Sequence, residues 1–194
     1  ALEDIDISNV SDLTGEQPFV ACDNLKSVYI GKNTDFTGDA GLGVNPFCGC
    51  DALEKYVEKE KNEHHLYVED GKLYASQMVG SMRNLDNAGY DDKYVTKLYH
   101  GKILVGYPFV QMVDDAKKNN GCLKIPEDVT QLAKGANLEG SQKRGSSGTD
   151  GDVNNIDVYF TKLIIPASVE AIDLIMTSPG ANLEIDFYGD TFPL

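Results

Sequence analysis

The chain has no tryptophan and little positive charge, with 17 lysines and arginines against 31 aspartates and glutamates among its 194 residues. The formal net charge of −14 argues against nucleic acids and anionic membranes as partners, because both would repel the chain. No apolar run reaches the ~20 residues of a membrane-spanning helix, so we expect no membrane insertion of this segment. The chain starts at Ala1 without a signal peptide, and we expect a mature or trimmed part of a longer precursor.

Catalytic and metal-binding motifs are also missing. The chain contains no Gly-x-Ser-x-Gly elbow, no P-loop and no His-Glu-x-x-His motif. Two of its three histidines, His64 and His65, are neighbours, and neighbours on an extended segment point to opposite faces. We therefore interpret them as a surface pair. The sequence predicts a protein that is not an enzyme and that holds no cofactor and no metal.

The four cysteines are Cys22, Cys48, Cys50 and Cys122. Cys48 and Cys50 are too close together for the usual zinc spacing, and no second pair completes a site. Cys22 and Cys50 occupy equivalent places in similar segments, PFVACDNL and PFCGCDAL. Two interpretations stay open for this pair: a disulfide bond, or two small buried apolar side chains.

The start of the chain contains a repeat, in which apolar residues at three positions recur 23 residues later. The pairs are Leu2 with Leu25, Ile5 with Val28, and Ile7 with Ile30. A recurrence of this length is typical of a leucine-rich-repeat solenoid, in which each repeat adds one turn to a coil. One turn cannot bury its own apolar face, so several must stack.

Each turn is expected to begin with a short strand whose alternate side chains point inward, with Leu2 packing beside Ile5 and Ile7. Segments with the same pattern recur downstream; LKIPEDVTQL at 123–132 returns as LIIPASVEAI at 163–172, a shift of 40 residues. We predict strands near residues 2–7, 25–30, 53–58, 123–125, 160–165 and 183–187, with those of the first, second, fourth and fifth segments neighbouring and mainly parallel in one sheet. A short strand and a solvated turn are preferred to a helix in 54–64.

These motifs resemble a known family. FVACDNLKSVYI at 19–30 and IPASVEAI at 165–172 are similar to the BspA-like leucine-rich repeats of bacterial cell-surface proteins. The resemblance implies a single domain over 1–194, a right-handed solenoid of stacked, mainly parallel short strands. Turns and short 3₁₀ or α segments would lie on the return side, with an inserted β-hairpin.

The insertion is expected at about 62–110. LYVEDGKLYA at 66–75 and LYHGKILVGYP at 98–108 resemble the hairpin that is often inserted between two such repeats. We predict that they pair antiparallel, with a turn at Glu69-Asp70-Gly71 and a tip toward 78–96. The next stretch, 107–121, has helix-like apolar spacing ended by Asn-Asn-Gly, and predicts a helix that covers the side of the solenoid.

Candidate ligand-binding residues are the tyrosines of the insertion: Tyr67, Tyr74, Tyr94 and Tyr99. Tyrosine offers a large, rigid contact area, and binding surfaces are enriched in it. The alternative is ordinary hairpin packing, because tyrosine also favours strands.

A second polar segment is the Gly/Ser-rich stretch at about 140–156, which we interpret as a flexible acidic loop. Within it, Asp150, Asp152 and Asn154 have the spacing of a calcium loop, but Asn155 and Thr161 stand where such loops have Gly and Glu. Calcium binding by 149–157 stays open.

The resemblance implies a cell-surface or extracellular protein, exported and in some members anchored in the outer membrane. Its expected role is adhesion or recognition of a protein or glycan ligand on a host or bacterial surface. A second hypothesis is a structural spacer or accessory domain of a longer surface protein, and a carbohydrate-active enzyme is a more remote one. The sequence leaves the ligand and the oligomeric state open.

Overall fold

The structure is a computed structural model. It describes residues 2–11, 13, 19, 22–35, 46–47, 50–83, 94–133, 136, 138, 160–172 and 184–190, with only the backbone described at 80–83 and 94–96. The predicted acidic loop at 140–156 lies outside these residues, as does Cys48. Among the described residues no helix is long and apolar enough to cross a membrane.

The first sheet is parallel and follows the N-terminal repeat. Its strands, in spatial order, are β1 (Asp4–Asp6), β2 (Ser27–Ile30) and β3 (Lys55–Glu58). Ile5 lies beside Val28, as the 23-residue recurrence predicts, and Val28 lies beside Tyr56. The strand predicted at the start of 54–64 is confirmed, because packing of Tyr56 in the core outweighs the helix propensity of the Glu and Lys residues around it.

Leu2 does not pack inward as predicted. Its side chain is 48% exposed, whereas Leu25, its counterpart in the next repeat, is fully buried. The physical reason is that β1 has one neighbouring strand, β2, within the described part of the chain. Leu25 lies between two turns, and Leu2 lies at the edge of the stack.

The turns after these strands are held together by buried polar groups. Gly31, the residue after β2, packs closely against Ser8. A Cβ atom at Gly31 would lie 2.5 Å from the Cβ of Ser8, which leaves no room for a side chain. The Thr34 hydroxyl donates to the Ile7 carbonyl at 2.8 Å and accepts from the Gly31 N–H at 3.0 Å. The Asn62 side-chain amide donates to the carbonyls of Gly31 and Thr34, both at 2.7 Å. Residues 59–65 are therefore not simply the solvated turn that the sequence predicted.

A second parallel sheet contains the strands of the downstream repeats. In spatial order these are β7 (Cys122–Lys124), β9 (Lys162–Ile165) and β11 (Glu184–Phe187). Leu123 lies beside Leu163, which agrees with the shift of 40 residues, and Leu163 lies beside Ile185. The six predicted strands are thus all present.

The prediction that the repeat strands share one sheet is wrong, because they form two separate sheets. The reason lies at the outer side of β3, where the Tyr56 N–H donates to the Gly71 carbonyl at 2.9 Å. The inserted segment occupies the place that β7 would take next to β3.

The insertion forms antiparallel strands, as predicted. They are β4 (Leu66–Glu69), β5 (Lys72–Arg83) and β6 (Tyr94–Gly106). The turn between β4 and β5 is at Asp70 and Gly71, with φ angles of 49° and 75°, and glycine adopts such values without strain. β5 pairs with β6 from Leu73–Gly106 to Arg83–Tyr94. The tip is predicted toward 78–96, but strand pairing continues into that stretch, because β5 extends to Arg83 and β6 begins at Tyr94. Residues 84–93 between them lie outside the described residues.

Two short strands extend this sheet. β8 (Gln131–Leu132) pairs parallel with β6, and β10 (Ala171–Ile172) pairs parallel with β8. The side chains of this central sheet alternate between two buried clusters. Leu73 and Ala75 pack with the core of the first sheet, whereas Tyr74 packs with the core of the second. The central sheet is therefore covered on both faces.

The predicted helix is confirmed as α1 (Phe109–Lys118), followed by Asn119, Asn120 and Gly121. Its buried residues are Phe109, Met112, Val113 and Ala116, and they pack in the same cluster as Leu123 and Leu163. Helix α1 thus covers the second parallel sheet, in agreement with its amphipathic spacing. Asn120 and Gly121 have positive φ angles that let the chain reverse into β7.

Among the described residues, Cys22, Cys50 and Cys122 form no disulfide bond. Cys50 is buried, and its thiol donates to the Phe19 carbonyl at 3.0 Å. Of the two interpretations of the Cys22 and Cys50 pair, the structure favours two small unbridged side chains, of which Cys50 is buried and Cys22 is partly buried. Whether the whole chain winds as the right-handed coil of a leucine-rich-repeat solenoid stays a prediction.

Candidate functional site

A cleft of about 730 Å³ opens at the carboxyl ends of β7 and β9, beside helix α1 and the first residue of β5. Its volume lies in the range of ~300–1,000 Å³ that small-molecule sites occupy. We name it the Lys72 cleft. Its lining consists of Lys72, Tyr107, Asp115, Asn119, Lys124, Ile125, Pro126, Glu127, Ile164, Pro166, Ala167, Ser168 and Tyr188.

Lys72 is the most unusual residue of the cleft. It is the first residue of β5, where strand alternation turns its side chain to the same face as Tyr74. That face packs under helix α1, so only 8% of Lys72 is exposed. Loss of hydration lowers the pKa of the Lys72 ammonium, while the nearby Asp115 carboxylate acts in the opposite direction.

The Lys72 ammonium has donor capacity to spare. Its Nζ atom lies 3.9 Å from an Asp115 carboxylate oxygen and 4.8 Å from the centre of the Tyr107 ring. Both are attractive contacts, but 3.9 Å is too long for a hydrogen bond. Within the described part of the chain no acceptor lies within hydrogen-bonding distance of Nζ. An ammonium that lines a cleft and has unused N–H groups is suited to meet a polar ligand.

Asp115 is held by its neighbours so that it faces the cleft. The Tyr107 hydroxyl donates to Asp115 Oδ2 at 2.7 Å, and Lys118 Nζ lies 3.4 Å from Oδ1. Burial, followed by this hydrogen bond to a carboxylate, raises the pKa of Tyr107 above its ordinary value, so its hydroxyl stays a donor. Tyr107 is itself 3% exposed, which leaves Asp115 as the accessible acceptor of the pair.

The apolar wall comes from two equivalent loops. Pro126 follows β7 and Pro166 follows β9, at the shift of 40 residues that relates these repeats. The Ser168 hydroxyl donates to the Val129 carbonyl at 2.8 Å and ties the two loops together. Because both loops carry proline, whose φ is fixed, the wall is rigid.

Tyr188 forms the rim of the cleft. It follows β11, and its backbone N–H donates to the Ile165 carbonyl at 3.1 Å. Its side chain is nevertheless 66% exposed, the largest exposure among the described large apolar residues. An aromatic ring fixed at its backbone and open to solvent can stack on a ligand without first being uncovered.

Beside the cleft lies a group that we name the Lys102 cluster: Lys102, Glu69, Asp128 and Tyr74. Lys102 Nζ is 2.8 Å from Glu69 and 2.7 Å from Asp128, and lies 4.7 Å from the centre of the Tyr74 ring. Burial opposes charging of Lys102, but the hydrogen bonds that its ammonium donates to Asp128 and Glu69 outweigh burial and raise the pKa of Lys102. The cluster joins the insertion to the loop after β7, which also lines the cleft.

The structure places the four tyrosines proposed from the sequence in different surroundings. Tyr74 is 2% exposed and Tyr99 is 5% exposed, so both favour the alternative interpretation, hairpin packing. Tyr67 is partly buried and stacks on Tyr74 with ring centres 5.6 Å apart. Tyr94 pairs through its backbone with Arg83, and its side chain lies outside the description. Tyr67, Tyr74 and Tyr99 do not line the Lys72 cleft, and the assignment of all four as ligand-binding residues stays a prediction.

The residues of the cleft escaped the sequence analysis because they come from distant parts of the chain. Lys72, Asp115 and Tyr188 are brought together only by packing of β5, helix α1 and the second parallel sheet. One signal was present: the repeated Ile-Pro-x-x-Val segments mark the two loops that form the wall.

Among the described residues no group of three or more His, Cys, Asp and Glu side chains could hold a metal ion. His64 is partly exposed and lies 3.3 Å from Asp35, and His65 is exposed. The pair is thus on the surface, as predicted. The candidate calcium segment 149–157 lies outside the described residues.

The chain matches no family model, no curated protein and no solved structure. Its functional interpretation therefore rests on the geometry described above and on the resemblance of its repeat motifs.

Titration of Tyr74, a member of the Lys102 cluster, is expected to make the folded protein less stable at alkaline pH. Burial raises the pKa of Tyr74 to about 12, whereas an unfolded chain has the ordinary tyrosine value near ~10. Between these values the unfolded state releases a proton that the folded state keeps, so stability falls as the pH rises. We expect a loss of about 2–3 kcal/mol in urea unfolding between about pH 9.5 and pH 12.

The matched variant is Tyr74→Phe, which keeps the ring that stacks on Tyr67 and removes the titrating hydroxyl. It should remove this loss of about 2–3 kcal/mol and leave the part of the alkaline decline that comes from Tyr67 and Tyr107, whose pKa values are also raised by burial, while Tyr188→Phe, at an exposed ring, should leave the decline unchanged. An equally steep decline in Tyr74→Phe would contradict the prediction.

Proposed function

We propose that this chain is a non-enzymatic binding module and that the Lys72 cleft is its ligand site. The observation that carries the proposal is Lys72, a residue only 8% exposed that lines a cleft of about 730 Å³ and whose ammonium has no hydrogen-bond acceptor in reach among the described residues. Placing a charged group there costs stability unless a partner compensates for it. The folded chain is thus prepared for a polar ligand.

The arrangement of the cleft supports binding rather than catalysis. The Ser168 hydroxyl donates to the Val129 backbone carbonyl, which is not a base that could activate it as a nucleophile. The Tyr107 hydroxyl donates to the Asp115 carboxylate, but burial and this hydrogen bond raise the pKa of Tyr107, so its hydroxyl stays protonated and is a poor nucleophile. The remaining accessible elements are a rigid apolar wall, the Tyr188 ring and mixed polar groups, which are typical of recognition sites.

We further propose a leucine-rich-repeat solenoid of the BspA-like type as the scaffold, exported to the cell surface or the extracellular space. The in-register stacking of Ile5 on Val28 and of Leu123 on Leu163 supports this proposal. In such a scaffold, loops of successive turns lie side by side, as Pro126 and Pro166 do. The role expected from the resemblance is adhesion or recognition at a host or bacterial surface.

Retention on immobilised candidates tests the binding function. The purified chain is passed over host matrix proteins, a glycan array and fixed bacterial cells, and its affinity is measured by biolayer interferometry. We expect at least one candidate to bind with a dissociation constant of about 100 μM or lower. Tyr188→Ala should weaken this binding by about tenfold, because it removes the exposed ring at the rim.

The matched control is Tyr29→Ala, which removes a partly exposed ring on the first parallel sheet, away from the cleft. It should leave the affinity within about twofold of the unchanged protein. Binding that Tyr188→Ala leaves intact would place the ligand elsewhere, for example on the inserted strands. No retention by any candidate would favour the structural spacer.

A further inference from the structure

We propose that the ligand of the Lys72 cleft is a neutral saccharide, bound with one sugar ring against Tyr188 and its hydroxyl groups hydrogen-bonded to Lys72, Asp115 and Asn119. This inference rests on the proposed function and names the chemical class of its ligand.

The charges in the cleft argue for a neutral ligand. Two cations, Lys72 and Lys124, are balanced by two anions, Asp115 and Glu127. An anionic ligand would also be repelled by the net charge of −14. A cationic ligand would meet the charge of the Lys72 ammonium, which burial of most of the residue leaves less well screened than an exposed charge.

The polar groups suit a ligand that both donates and accepts hydrogen bonds at short intervals. Lys72 offers N–H groups that no acceptor in the described part of the chain engages. Asp115 Oδ1 has only the long 3.4 Å contact with Lys118, so it can accept a further hydrogen bond. Sugar hydroxyls donate and accept at once, and charged partners strengthen such hydrogen bonds. A plain apolar ligand would leave these groups unpaired, at a cost.

The apolar surfaces of the cleft suit the flat, C–H-bearing face of a sugar ring. Tyr188 is 66% exposed at the rim while its backbone is held by the Ile165 carbonyl. Pro126 and Pro166 form the wall. The ring of Tyr188 thus offers an accessible platform whose backbone is already in place, so stacking on it orders a single side chain. The cleft volume of about 730 Å³ has room for a short oligosaccharide.

Titration calorimetry and saturation-transfer NMR test the inference with defined probes. The neutral probes are maltotriose, cellotriose, mannotriose and N-acetylchitotriose, and the anionic probes are sialyllactose and a galacturonic acid trimer. We expect at least one neutral probe to bind with a dissociation constant of about 1 mM or lower, and the anionic probes to bind at least about tenfold more weakly. Binding of the anionic probes alone would overturn the inference.

Substitutions of cleft residues test whether the saccharide binds in the Lys72 cleft. Tyr188→Ala and Lys72→Met should each weaken the best probe by about tenfold. Two controls are matched to them: Lys32→Met removes an exposed lysine charge in the turn after β2, where Lys32 pairs with Glu63, and Tyr29→Ala removes a ring from the other parallel sheet. Both should change the affinity by less than about twofold. Circular dichroism checks folding, and Tyr188→Ala at an exposed position keeps the test decisive if Lys72→Met unfolds.

The outcomes separate this inference from the proposed function. If no saccharide binds, while proteins freed of glycans are retained and Tyr188→Ala weakens them, the binding function stands and the saccharide is wrong. If a saccharide binds but the cleft variants have no effect, the assignment to this site is wrong. If neither saccharides nor proteins bind, both proposals fall.

Discussion

Val28→Asp is expected to lower the free energy of unfolding by about 4 kcal/mol or more, and so to abolish the cooperative fold at room temperature. Val28 is fully buried, between Ile5 on one neighbouring strand and Tyr56 on the other. A carboxylate at this position would lie between two parallel strands without water or a cationic partner. It would be charged at high cost or take up a proton. Urea unfolding followed by circular dichroism measures the loss.

The matched control is Tyr29→Asp, one residue along the same strand. Its side chain points to the opposite face and is only partly buried, near Lys59. The same introduced charge should therefore cost about 1 kcal/mol or less. Equal losses in the two variants would contradict the strand register. A mild Val28→Asp variant would show that the turns do not stack tightly.

The strands of the repeats could be predicted because their signal is local. A short strand needs only alternating apolar residues, and the stacked partner is given by the same residues one repeat later, as with Ile5 and Val28. Helix α1 was predictable for a similar reason, since its buried residues recur at helical spacing before Asn-Asn-Gly.

The division into two parallel sheets could not be predicted, because it depends on where the insertion packs. At the outer side of β3, the Tyr56 N–H donates to the carbonyl of Gly71. This contact joins the middle of β3 to the turn between β4 and β5. Nothing in the local pattern of either segment encodes it. The repeat pattern specifies which strands stack, but not where an insertion interrupts the stack.

The candidate site was hidden for a related reason. Lysine is almost always exposed, so a sequence gives no cause to expect Lys72 at 8% exposure. Its burial follows from its position at the start of β5, under helix α1. For the tyrosines of the insertion, the sequence allowed two interpretations, because tyrosine suits both binding surfaces and strand packing. Only the fold shows that Tyr74 and Tyr99 are buried.

The burial of Asn62 could not be predicted from the sequence either, and substitution of Asn62 is expected to have the second large effect on stability. It lies in EKYVEKEKNEHH, which reads as a polar surface segment, yet Asn62 is 7% exposed. Its Nδ2 group donates to the carbonyls of Gly31 and Thr34, and its Oδ1 atom accepts the N–H groups of His64 and Leu66. All four hydrogen-bonding positions of the amide are filled: the two bonds from Nδ2 join the turn after β3 to the turn after β2, and the two bonds to Oδ1 close the turn after β3 on itself.

Asn62→Ala is therefore expected to cost about 3–5 kcal/mol, since several backbone groups would lose their partner at ~1 kcal/mol or more each. Asn62→Asp should cost at least as much, because a carboxylate cannot donate and would face the carbonyls of Gly31 and Thr34.

The matched control is Asn119→Ala, at an exposed asparagine with a single side-chain hydrogen bond to the Asp115 carbonyl. It is expected to cost about 1 kcal/mol or less. Urea unfolding compares the three variants, and hydrogen exchange at the Leu66 N–H reports the lost bond directly. A cost for Asn62→Ala no larger than that of Asn119→Ala would show that Asn62 does not hold the stacked turns together.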